Sequence, residues 1–174
     1  MNLFAYLDET DKSFGLTGMT LSLFAMDNQS MIRAVSMDAP DSESVEFAPE
    51  FYFSGNPRLS ARTTWNELVR QFQLLTAMSV GNVVCRHAVH YRRNIPADRL
   101  EGLHRTVVEE GTDACALESD EIDAIYNKIL HYQLDFYNNP RVASIANHLS
   151  AQLRTRRRLS AGEIVDELHS LGLV

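Results

Sequence analysis

The sequence predicts an α+β fold: a small antiparallel meander of three or more strands within about residues 19–53, then a bundle of five or six helices over about 64–171 covering one face of it. Two observations carry this. Apolar residues recur with a period near two up to residue 53, and with a period near 3.6 from residue 64 onward. A chain of 174 residues that is 45% hydrophobic and 22% charged has the size of one globular domain, able to bury about 70% of its unfolded surface. We read residues 1–174 as a single domain with a sheet layer at 1–57 and a helical layer at 58–174.

Taking the elements in order, MTLSLFAMDNQSMIRAVSM (19–37) reads as two strands around the polar turn Asp27-Asn28-Gln29-Ser30. The next stretch, VEFAPEFYF, sets Val45, Phe47, Phe51 and Phe53 against Glu46 and Glu50, a half-buried strand whose Pro49 suits an edge or a bulge. Residues 3–7, LFAYL, fit a strand or a short helix equally well. After SGNPRLSARTT the period lengthens. Trp65, Leu68, Phe72, Leu75 and Ser79 form one helical stripe, and LLTAMSVGNVV (74–84) is apolar almost all round, as in a central buried helix.

Later helix boundaries are marked by capping residues. A second helix opens near Asp98 after Pro96 and stops near Gly111, with Leu100, Leu103, Val107 and Val108 inward. A third opens at Ser119 or Asp120 and ends at NNP (138–140). Asn139 as N-cap and Pro140 as first residue open a fourth. The last helix has Ser160 and Glu163 as an S-x-x-E capping box, Leu159 and Ile164 as a hydrophobic staple, and Gly172 as its C′ residue.

Charge is unevenly placed. Nine acids and two bases fall in the first 57 residues, so that segment carries the whole net charge of −7, while the 14 acids and 14 bases beyond it cancel. No run of eighteen apolar residues is present, which excludes a membrane-spanning helix. MNLFAYLDETDK lacks the basic and apolar regions of a secretory signal, so a cytoplasmic location is expected, with Cys85 and Cys115 as reduced thiols.

The nucleotide-binding, zinc-protease and serine-hydrolase signatures are absent, and the cysteines form no CxxC pair. The densest cluster of reactive side chains is CRHAVHYRR (85–93). On a helix Cys85 and His87 project about 200° apart, so they share no metal and form no thiolate–imidazole pair. His87 and His90 lie on one side, but Arg86 and Arg93 flank His90 and repel a cation. No metal or cofactor is expected here. Arg86, His90 and Arg93 instead form a basic strip suited to a phosphate, a carboxylate or an acidic partner surface. Its exposure requires a bend near Gly81–Asn82, because an unbroken helix would point Arg86 at the core.

The second basic element is RTRRR (154–158), with Arg154, Arg156, Arg157 and Arg158. Between two helices, it fits a nucleic-acid-binding or regulatory module, but the pI of 5.3 and the acidic last helix disfavour that reading. The favoured reading is a helix C-terminus whose cations pair with Glu163, Asp166 and Glu167 or with the acidic amino-terminal segment. A small enzyme drawing on His87, His90 or His104 with Cys85 or Tyr91 is supported by residue type alone. The leading expectation is a non-enzymatic interaction or structural protein, self-associating as a homodimer through the apolar hairpin. Helices cover only one face of a single small sheet, which leaves the other free for a second protomer or a protein partner.

Overall fold

The computed structural model describes residues 5–52 and 60–172. Part of the LFAYL stretch, Phe53 and all of SGNPRL (54–59) lie outside them. The described residues form an α+β structure of six α-helices and one three-stranded antiparallel sheet. In chain order these are α1 (Glu9–Ala25), β1 (Ile32–Ser36), β2 (Val45–Phe47), α2 (Ala61–Cys85), a π-helical segment (Arg86–Tyr91), α3 (Ala97–Cys115), α4 (Ser119–Asn138), α5 (Pro140–Arg156), β3 (Arg158–Ser160) and α6 (Ala161–Ser170). No helix among the described residues is long and apolar enough to cross a membrane.

The expected first strand of the hairpin is the second half of α1. This helix starts where Asp8 caps it, its carboxylate accepting from the Asp11 N–H at 2.8 Å. From Phe14 to Gly18 and again from Thr20 to Phe24 every residue is buried. A helix enclosed on all sides shows no polar face, so the 3.6-residue period that marks a surface helix is missing from its sequence. The polar residues that mimic strand alternation bond back onto the helix itself: Thr20 Oγ1 donates to Leu16 O at 2.8 Å and Ser22 Oγ to Gly18 O at 2.7 Å. The apolar hairpin expected to seat a second protomer is therefore not formed. Leu21, Leu23 and Phe24 belong to the core instead.

The sheet is correspondingly smaller and differently sourced. Its order is β2-β1-β3, with Val35 opposite both Val45 and Leu159. β2 stops at Phe47, and Pro49 begins a 3₁₀ turn through Phe51, where its missing N–H costs nothing. The third strand comes from the arginine run, 110 residues downstream of β2's end in the chain. The helical and sheet layers therefore do not divide at residue 58. The later boundaries match their caps: Asn139 accepts from the Arg141 N–H, Ser160 and Glu163 close a reciprocal capping box, and Gly172 takes a φ of +71°. α3 runs on past Gly111 to Cys115.

The helices α1 and α2 pack antiparallel and very close. A Cβ on Gly18 would land on the carbonyl oxygen of Gly81, and a Cβ on Gly81 on the hydroxyl of Ser22. Gly81 therefore marks backbone contact, and α2 passes through it without a break. α4 and α5 tether α1, Tyr137 Oη donating to Gly18 O at 2.9 Å and the hydroxyls of Ser13 and Ser150 meeting at 2.7 Å. Replacing Gly18 with Ala should cost about 1–3 kcal/mol by overpacking. Gly162→Ala, in the first turn of α6 with nothing within 4 Å of the new carbon, should gain up to about 0.5–1 kcal/mol. Urea unfolding midpoints for the two variants, moving in opposite directions, check this.

Candidate functional site

The segment CRHAVHYRR occupies the end of α2, the π-helical segment and the first residues beyond it. With no bend at Gly81, the helix delivers Arg86 into the core, the arrangement expected to be too costly. Asp11 of α1 makes it tolerable. Arg86 Nε donates to Asp11 Oδ1 at 2.6 Å and Nη2 to Oδ2, with the two side chains 6% and 0% exposed. Nη2 also donates to Ala5 O at 3.2 Å, and the guanidinium lies 5.0 Å from the centre of the Tyr6 ring. Asp11 accepts a further bond from the Leu7 N–H at 2.9 Å. A bidentate pair with its remaining valences filled is the form in which buried charges survive.

Immediately after Arg86 the helix widens from α to π, and this inserted residue changes the face that the following side chains present. The register shift assigned to Gly81 thus lies one to three turns further on. His87 and Val89 are buried while His90 and Tyr91 are only partly covered. His90 stacks on Phe14 at 4.8 Å between ring centres, and Arg93 lies over the Tyr91 ring at 4.5 Å. His87 Nδ1 and Tyr91 Oη are buried without a hydrogen-bond partner of ordinary geometry among the described residues, although Tyr91 stands close enough to Asp11 to sense its charge.

Titration follows from these surroundings. Burial lowers the His87 pKa, and the positive charges of Arg93, Arg86 and Arg99 lower it further, so the ring is neutral at pH 7. Burial alone would raise the Asp11 carboxyl, but the hydrogen bonds from Arg86 and Leu7 outweigh it and hold the group below the ordinary carboxylate value. Cys85 is fully buried and its thiol is pushed far above the ordinary value, so it supplies no thiolate nucleophile. Among the described residues no three or more His, Cys, Asp or Glu side chains are placed to hold a metal ion.

No protein-family model matches the chain, and neither does any curated protein. The residues themselves must carry the reading.

The four arginines of the 154–158 run meet the chain's own groups. Arg156 pairs with Glu163 and lies 3.7 Å from Glu167; Arg157 bridges Glu9 at 3.0 Å and Asp38; Arg158 reaches both oxygens of Glu46 at 3.0 Å; Arg154 donates to Thr10 Oγ1 at 3.3 Å. The acidic amino-terminal segment and α6 thus supply the counter-charges, the second of the two readings the sequence offered for this run. His104, expected to be semi-buried and hydrogen-bonded, meets Asp123 at 2.6 Å.

Of the basic strip Arg86, His90 and Arg93, only Arg93 keeps a charge facing solvent without a carboxylate partner among the described residues. Its neighbour Arg92 shares that state and stands in the left-handed region at φ +51°, where the chain leaves the π-helical segment. Arg92 lines two adjoining depressions of about 490 and 480 Å³ that also share Ala88 and Asn138. Arg93, Asn94 and the apolar Ile95, Leu100 and Leu134 complete the first; Val89, Tyr137, Pro140, Ala143, Ser144 and Asn147 complete the second. Neither lining contains an acid. The strip expected from the sequence leaves out Arg92, because ideal helical angles without the π-helical residue misplace everything after it. Sequence reasoning missed Asp11 altogether, although LDETD carries a helix-start signal in Asp8.

Removing one partner of the buried pair should be severe, about 3–5 kcal/mol for Asp11→Asn or Arg86→Met at pH 7. A carboxyl whose folded pKa is depressed stabilises the fold above its unfolded pKa of about 3.9, and loses that contribution as pH falls through the lower folded value. The gap in urea midpoint between the parent and Asp11→Asn should therefore narrow from pH 7 to pH 3.

Proposed function

We propose that this protein is a non-enzymatic binding module that recognises a small polyanion, a phosphate or carboxylate group, with Arg92 and Arg93. One observation carries the reading: two arginines without carboxylate partners among the described residues border an acid-free pair of depressions, apolar for the most part, with the amides of Asn94, Asn138 and Asn147 in their lining, in a chain of net charge −7. Elsewhere Arg156, Arg157 and Arg158 of the arginine run are paired with the chain's own acids. An uncompensated guanidinium pair is a donor array waiting for oxygens. Arg93 is held against Tyr91 and Arg92 by the helix end, so less side-chain freedom is lost on binding.

The surroundings favour binding over turnover. His87 is neutral but buried, His90 is stacked on Phe14, and Cys85 is a buried thiol; among the described residues the two linings hold no His, Cys, Lys or acid to serve as a base beside the Ser144 hydroxyl. The expected setting is the cytoplasm, where phosphorylated and carboxylated metabolites are abundant and the free, buried Cys85 and Cys115 stay reduced.

Pyrophosphate supplies the test. At 100 times its dissociation constant it should add about 2.7 kcal/mol of stability, seen as a rise in melting temperature of roughly 5–10 °C at low salt that shrinks as sodium chloride is added. Arg92→Ser with Arg93→Ser should remove the rise, while Arg154→Ser should keep it. An undiminished rise in the double variant would refute the assignment.

A further inference from the structure

A second surface carries uncompensated charge of the opposite sign. Between the amino-terminal half of α2 and the carboxyl-terminal half of α3 runs a trough of about 520 Å³, its apolar wall made by Leu68, Phe72 and Leu75 and its opposite rim by Glu109, Glu110 and Asp113. None of the three carboxylates has a cationic partner among the described residues. Their position adds to the cost. The final turns of α3 hold no basic residue, and the helix dipole there disfavours negative charge. Burial also raises the Glu110 pKa, the mark of a carboxylate against apolar surface without a counter-ion.

The apolar strip continues beyond the trough. Trp65 lies on the same helical face, one turn before Leu68, and is 44% exposed. From Trp65 to Leu75 the strip is about 15 Å long, close to three helical turns. We propose that this surface docks a basic amphipathic helix of a partner protein, whose apolar residues at i, i+3 and i+7 would lie along α2 while its lysines or arginines would meet Glu109, Glu110 and Asp113. Length argues for a helix over a small amine, and the acidic rim argues for a basic one. Such a partner would remove the two costs the isolated chain bears, an exposed indole and three carboxylates at the wrong end of a helix dipole.

Trp65 is the single tryptophan of the chain, so its emission reports on this face alone. The probe is an 18-residue synthetic peptide of leucine and lysine in a helical pattern, compared with the same peptide carrying glutamate for lysine. The lysine peptide should shift the emission to the blue, saturably at micromolar concentration and less strongly at high salt. Glu109→Gln, Glu110→Gln and Asp113→Asn together should weaken it at least tenfold, and Asp113→Asn alone two- to threefold. The same charge change made with Glu43→Gln, Glu50→Gln and Asp166→Asn should leave it intact. Equal binding by the rim triple variant, or by the glutamate peptide, would overturn the proposal. So would the same shift with spermidine, which would make the occupant a small amine. A blue shift that grows with protein concentration alone, accompanied by sedimentation as a dimer, would make it a second copy of the chain.

Discussion

The buried pair of Asp11 and Arg86 is the constraint around which the rest of the structure is arranged. It fixes the first turn of α1 against the last turn of α2, and neighbouring residues of that turn repeat the arrangement outward: Glu9 meets Arg157, Thr10 meets Arg154, and Lys12 meets Asp41 and the Ala39 carbonyl. Four consecutive residues thus tie α1 to α2, to the end of α5 and to the loop after β1. The Gly18 and Gly81 contact then brings the two central helices together along their length. Apolar burial supplies most of the stabilisation, but it has no direction; the pair specifies register, since sliding α1 by one residue would strand a charge in the core.

This arrangement reinterprets the charge asymmetry of the chain. The excess of acids in the first 57 residues looked like a potential offered to partners, but Glu9, Asp11, Asp38, Asp41 and Glu46 all meet cations of the chain itself. Four of those five contacts reach arginines at position 86 or beyond, so the imbalance between the two parts reflects pairing across the fold. Local composition predicts the field at the surface only after such internal pairs have been removed.

The parts of the fold legible in the sequence are those where local chemistry decides. The Ser160–Glu163 box, the Asn139-Pro140 start and the stripe beginning at Trp65 depend on neighbours within one helical turn. The parts that were not legible depend on what surrounds them. α1 is central, so it lacks a polar face, and Thr20 and Ser22 reproduce strand alternation while serving their own helix. β3 has three residues, Arg158 to Ser160, starting at the end of the arginine run, and exists because β1 offers an edge. At the candidate site, cation-bearing positions could be named, but which arginine would be consumed by Asp11 could not, because the π-helical segment reassigns faces after position 86.

What remains after internal pairing is a molecule polarised along α3. Arg92 and Arg93 stand just before its amino terminus and Glu109, Glu110 and Asp113 in its last two turns, with 12 residues of helix (97–108) between them, about 18 Å. The carboxylates oppose the dipole of α3, at a cost of roughly 0.3–1 kcal/mol where the charge lies in its last turn, whereas Arg92 and Arg93 follow the carboxyl end of the α2 and π-helical run, where the dipole favours cations. Asp98 in the first turn shows the favourable choice. A fold that pairs a buried arginine so completely, yet leaves three carboxylates near the carboxyl end of α3 without a cation among the described residues, keeps those groups against the local field. Under the two proposals above, an anion would meet the arginines and a cationic surface the carboxylates, both contacts lying outside the chain.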